Sequence, residues 1–198
     1  MNFISQFKSI LLIGFAAIML APLSVADNHE MNKLGFKLDA SVGMDVSVFR
    51  DDNLDGGFGF QGDVKTHYYF SPYVGVFTGF DFVSRTLTDS NTHDLSMNSL
   101  EIPFGISFRQ SPSASPIIAS IGLGGYYSIP LEEVKIGGVK AETEGNFGMV
   151  FSGRTFFPVT ESFMLGFGGD IKYAFGGPLK NGDGGFSATL GLASRFSF

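Results

Sequence analysis

Residues 185–198 limit what this chain can become more than any other stretch. Phe186, Ala188, Leu190, Leu192, Ser194, Phe196 and Phe198 take every second position, with Ser187, Thr189, Gly191, Ala193, Arg195 and Ser197 between them. Period-two alternation is the signature of a β-strand with one apolar face. The sequence ends inside that strand, on an aromatic carboxyl terminus. A soluble sheet seldom leaves such an edge open, because it invites pairing with other chains. Pairing the last strand with the first to close a barrel removes the edge, and closed barrels are one of the two structures able to cross a bilayer.

The opposite end reads as an export signal. Lys8 is the only charge before Asp27; Ile10 to Leu20 are apolar or small, and Ser24-Val25-Ala26 offers a small-x-small cleavage site. The apolar run is too short for a spanning helix, so residues 1–26 are predicted to be a Sec-type signal peptide and 27–198 the mature domain. There is no cysteine, which leaves no disulfide framework and no thiolate site. With 27 Gly, 23 Phe and only 16% charged residues, and no long amphipathic helical pattern, the mature chain is predicted to be all-β.

Eight alternating segments follow: 34–48, 58–70, 73–84, 99–109, 117–129, 146–157, 163–175 and 185–198. The connections 71–72, 109–116 and 157–162 are short to moderate and contain proline, while 50–57, 84–98, 129–145 and 176–185 are mostly longer and polar. The expected fold is therefore an eight-stranded antiparallel up-and-down transmembrane β-barrel, with short periplasmic turns and longer surface loops.

Charge decides which face looks inward. The polar face collects Lys37, Lys65, Arg109, Arg154, Lys172 and Arg195 against Asp39, Asp45, Asp63, Asp81, Glu101 and Asp170. Six basic and six acidic groups set among Gly and Ser suit a narrow lumen, where charges must be paired. The other face has almost no ionisable group, as lipid requires. Without the signal peptide, 12 basic and 19 acidic residues give a net charge of −7, expected to lie in the loops. Tyr73, Phe77 and Phe156 fall on the nominal lumen side; either they point inward or the third and sixth strands shift register. Pro103, inside the fourth strand, suggests a bulge.

Two segments, Leu100-Glu101-Ile102-Pro103-Phe104-Gly105-Ile106-Ser107-Phe108 and Gly122-Leu123-Gly124-Gly125-Tyr126-Tyr127, resemble mid-barrel strands of the small outer-membrane β-barrel domain family, which is porin-like and similar to the barrel of outer membrane protein A. The C-terminal Phe196 and Phe198 likewise resemble the last strand of bacterial outer-membrane barrels, where it serves as an assembly signal. The resemblance implies a bacterial outer-membrane location, and brings with it no shared catalytic residues and no cofactor. The partners expected are outer-membrane lipids and lipopolysaccharide, periplasmic chaperones, the barrel-assembly machinery and a surface ligand held by the loops. Nucleic acid is not expected, and the barrel is expected to be a monomer.

Three chemistries compete with a structural or interaction role. A lipid A-modifying enzyme needs a Ser and His in set spacing; His93-Asp94-Leu95-Ser96 and His67 do not supply the deacylase spacing. His93, Asp94 and Ser96 could mimic the palmitoyltransferase set, but residues 27–33 are too few for that family's amphipathic helix. Asp51, Asn53 and Asp55 open a D-x-N-x-D-G calcium pattern, yet its twelfth position is Gly62 rather than Glu. A small-solute porin-like channel requires space that eight strands barely enclose.

Overall fold

The computed structural model describes residues 34–49, 54–89, 94–110, 117–131, 135–136, 139–140, 143–160, 162–177 and 183–198. The expected signal peptide lies outside these residues. Eight strands build the barrel: β1 (Gly35–Phe49), β2 (Leu54–Tyr69), β3 (Val74–Asp89), β4 (Asp94–Arg109), β5 (Ile118–Pro130), β8 (Asn146–Pro158), β9 (Phe163–Gly176) and β10 (Asp183–Ser197). Between β5 and β8 a small hairpin, β6 (Lys135–Ile136) and β7 (Val139–Lys140), forms a separate two-stranded sheet.

Each barrel strand pairs antiparallel with its neighbours, and β10 pairs with β1 along Lys37↔Ser197 to Phe49↔Gly185, which closes the sheet. The register fixes the tilt. Following partners around the wall from Lys37 leads through His67, Phe77, Gly105, Gly124, Val150, Lys172 and Ser187 to Ser47, ten residues further along β1. Such a stagger tilts the strands by about 40° and leaves an interior that side chains fill.

The short turns are tied by their own hydroxyls. Ser71 Oγ accepts from the amides of Tyr73 and Val74, and Thr160 Oγ1 accepts from the amide of Phe163. These are local side-chain turns of the kind Ser and Thr favour. Tyr73 sits exposed in the first of them, so it is not a lumen residue. Phe77 and Phe156 are, and no register shift accompanies them: β3 and β8 pair in continuous register through both. They fit because their neighbours are small or flat. The edge of the Phe77 ring lies where a side chain on Gly122 would begin, and the Arg195 guanidinium carbon sits 4.3 Å from the Phe156 ring centre.

The bulge expected at Pro103 is absent. The β4 register with both neighbours is the same on either side of it, and only the Gly79 and Phe80 partners on β3 are missing there. Proline lacks the N–H that this part of the ladder would use, and the strand passes it without adding a residue. The irregularity lies instead between Leu54 and Gly56 in the β2–β3 pair. Gly56 has φ +134°, and a Cβ there would meet the Ser47 carbonyl oxygen at 2.6 Å, so glycine is required twice over.

Outside the wall, Phe36, Val42, Phe80, Phe104, Phe167, Leu190 and Leu192 are all exposed. Rings pair at both edges of this belt: Phe36–Tyr68 and Phe163–Phe196, both with centroids 4.9 Å apart, near the short turns, and Tyr127–Phe147 and Tyr173–Phe186, 4.6 and 4.8 Å apart, near the loops. Two aromatic girdles flanking an apolar band are the exterior of a membrane barrel.

Candidate functional site

Inside the barrel the polarity is reversed. Lys37, Asp39, Asp45, Asp63, Lys65, Asp81, Glu101, Arg109, Arg154, Asp170, Lys172 and Arg195 are all buried there. Glycines make room for the long stems: a Cβ on Gly79 would lie 2.9 Å from Lys65 Cγ, and one on Gly168 2.8 Å from Arg154 Cγ.

Three tiers follow from the register. Nearest the short turns, Ile118, Phe156, Met164 and Ala193 form an apolar cluster. Arg109 lies 4.2 Å above the Tyr69 ring and donates from Nε to the Pro72 carbonyl at 2.7 Å. Arg195 donates from Nε and Nη2 to the two oxygens of Asp39 at 2.6 and 2.7 Å, a bidentate pair of the strong kind. His67 Nε2 stands 3.2 Å from the same carboxylate, with its ring between Tyr69 and Phe77.

The middle tier spans the axis. Arg154 Nη2 donates to Asp63 at 2.9 Å, and Ser41 donates to the same carboxylate. Asp170 accepts from Lys65 Nζ at 2.5 Å, Ser152 at 2.6 Å and Gln61 Nε2 at 3.0 Å. Lys172 Nζ donates to Glu101 at 2.6 Å, Asp81 at 2.7 Å and the Gln61 amide oxygen at 3.1 Å. Above it Arg85 donates from Nε to Asp45 at 2.6 Å and from Nη1 to Glu101 at 3.4 Å. Val83, Leu87 and Met97 lie buried towards the loop end.

Arg85 corrects the sequence reading. Residues 84–98 were expected to be a loop, but β3 continues to Asp89 and β4 starts at Asp94. Arg85 therefore joins the six basic and six acidic side chains as a further buried cation of the lumen. Gln61 and His67, on the inward parity of β2, are further members of the network.

Asp51 and Asn53 lie outside the described residues, while positions 54–62 of the proposed calcium loop form β2, paired to β1 from Gly57 onward. An extended strand cannot wrap oxygens around one ion as that loop must. Asp63, Asp81 and Asp170 do bring carboxylate oxygens within 4.8 Å of one another, but Lys65, Lys172 and Arg154 already stand as their cations. His93 lies outside the described residues, and Ser96 faces outward from β4. Voids among the described residues include one of about 20 Å³ at the loop end beside Arg85 and Ser187 and one of about 10 Å³ between His67, Ser107 and Arg154.

A closed eight-stranded barrel, apolar and girdled outside and charged within, is a transmembrane barrel of the bacterial outer membrane. The profile of the outer membrane protein beta-barrel domain matches residues 13–196, and the chain belongs to that family. No curated protein matches the sequence significantly. Solved structures share the fold: Neisserial surface protein A (17% identity, 83% of this chain and 97% of that one, TM-score 0.61) and OprG of Pseudomonas aeruginosa (10%, 85% and 99%, 0.55). Ail, the attachment invasion locus protein of Yersinia pestis, is similar at 18% identity over 83% of this chain and 100% of its own, with TM-score 0.50.

Proposed function

We propose that this barrel is a structural and surface-interaction protein of the outer membrane, not an enzyme and not a wide pore. Its own ion pairs close the lumen, and its loops are its working surface. The carrying observation is Lys172, which reaches from β9 to Asp81 on β3, across the barrel axis, and to Glu101 on β4. A side chain bonded to the far wall leaves no open axial path at its level, and the voids of about 20 Å³ beside Glu101 and about 10 Å³ beside Lys65 hold only about one or two waters each. Periplasmic chaperones and the assembly machinery would handle the chain through its C-terminal strand, and lipids and lipopolysaccharide would surround the monomeric barrel.

Planar-bilayer recording tests the closed lumen. Purified barrel in molar potassium chloride is expected to give at most small, rare openings. Large steady channels would overturn the reading. A loop-deletion series scored for adhesion and for lipid A composition separates an interaction protein from an enzyme: loss of adhesion with unchanged lipid A is the expected result.

A further inference from the structure

The apolar belt has a gap on one wall. On β9 and β10 the outward apolar positions run from Phe163 to Phe175 and from Phe198 to Phe186, twelve residues each, whereas on β3 and β4 they stop at Phe82 and Leu100, only eight residues from Val74 and Phe108. With the stagger of the wall, the shortfall is shared: Val74 and Phe108 start about two residues above Phe163 and Phe198, and Phe82 and Leu100 end about two residues below Phe175 and Phe186. Tilting the barrel would lower one rim and raise the other; it would not shorten a wall. The two residues of tilted strand missing at the loop end are roughly 5 Å along the membrane normal.

The gap is filled by Ser84, Thr86, Ser96 and Asn98, set as cross-strand pairs Ser84↔Asn98 and Thr86↔Ser96. Thr86 and Ser96 are exposed, the other two half-buried. Phe60 and Phe58 on β2 pair with Ser84 and Thr86 and present exposed rings at one side. Level with Ser84 and Asn98 on the far wall, Phe147, Phe175 and Phe186 still face outward as hydrocarbon. The residues between, Arg85, Leu87 and Met97, point inward and are buried, so the notch carries no charge.

We propose that this notch seats the uncharged sugar ring of an outer-leaflet glycolipid. Hydroxyl and amide groups can exchange hydrogen bonds with sugar hydroxyls, and the Phe58 face suits the apolar side of a sugar ring. Phe60, Phe82 and Leu100 below meet the acyl chains of the same molecule. With no Lys or Arg on it, the surface has nothing to clamp a phosphate, so it selects the ring and not its anionic substituents. The proposal rests on the outer-membrane location but lies outside the barrel wall. A conducting lumen would leave it standing, and its failure would leave the closed lumen standing.

The test places the photocrosslinker p-benzoylphenylalanine at Thr86 or, as a control on the far wall, at Phe147, in the full-length barrel in phosphatidylethanolamine vesicles containing lipid A. Lipid A adducts are expected about fivefold more often from position 86, the equivalent of one net hydrogen bond. In the Ser84→Leu/Asn98→Leu background, which extends the belt and should leave heat-modifiable migration intact, that excess should vanish. Equal yields from the two positions would overturn the proposal. So would an excess that survives the leucines, or an equal excess with labelled phosphatidylethanolamine, which would mean local thinning of the bilayer.

Discussion

Lys172→Met is expected to destabilise the folded barrel by about 3–5 kcal/mol, because it leaves buried carboxylates without their cation. Lys172 Nζ holds Asp81 and Glu101, both essentially without solvent exposure, and a third bond goes to Gln61. Arg85, 3.4 Å from Glu101, can compensate only in part, because its shorter bond is to Asp45. Asp81 would keep Lys65 at 3.7 Å, which is already committed to Asp170 at 2.5 Å. Urea titration of the barrel folded into lipid vesicles, followed by heat-modifiable migration, measures the loss. Adding Asp81→Asn and Glu101→Gln to Lys172→Met removes the orphaned charges and should recover much of it. A single variant as stable as wild type would mean that solvent reaches these groups, and the closed-lumen reading would fall with it.

The side chains of this network were legible in sequence because alternation and charge carry the same information twice. A strand buried against lipid on one face cannot place Asp or Lys there, so every ionisable residue in a strand announces the inward parity. Lys37, Asp39 and Asp45 on β1 identify one another in this way. The signal fails where the membrane stops. Beyond Phe82 and Leu100 the outward residues become Ser84, Thr86, Ser96 and Asn98, while Leu87 and Met97 turn inward. The apolar parity thus reverses in mid-strand, the pattern reads as a polar loop, and Arg85 is lost with it. Pro103 is ambiguous in sequence for a different reason. A missing N–H removes one ladder bond, but whether the chain adds a residue there depends on the register held by the strands on both sides, which no local sequence encodes. Partner choice is less legible still: which acidic group each cation reaches depends on tilt, and the ten-residue stagger that sets it emerges only on closure.

Leu190→Arg should abolish accumulation of folded barrel in the outer membrane, whereas Ser197→Ala should leave it unchanged. Leu190 is 70% exposed at the middle of β10, opposite Met44 on β1, where the two strands that close the barrel meet. An arginine at mid-bilayer costs about 2–4 kcal/mol by itself. Here it also falls on the closing seam, so the penalty is felt at the step that removes the sheet's open edges. Arg195, five residues on, shows that the same side chain is accepted on the other parity, where Asp39 meets it with two hydrogen bonds. The Ser197 hydroxyl carries no such load, and the backbone bond from its amide to the Ser162 carbonyl survives the change to alanine. Deleting Phe198 tests for an assembly role apart from folding, because its side chain is exposed and contributes little to the fold. Loss of surface protein with normal refolding of the same variant in vesicles is the expected outcome. Outer-membrane fractionation with heat-modifiable migration reads all three variants. Normal levels of the Leu190→Arg protein would mean that this face does not meet hydrocarbon, and the assignment of inside and outside would have to be reversed.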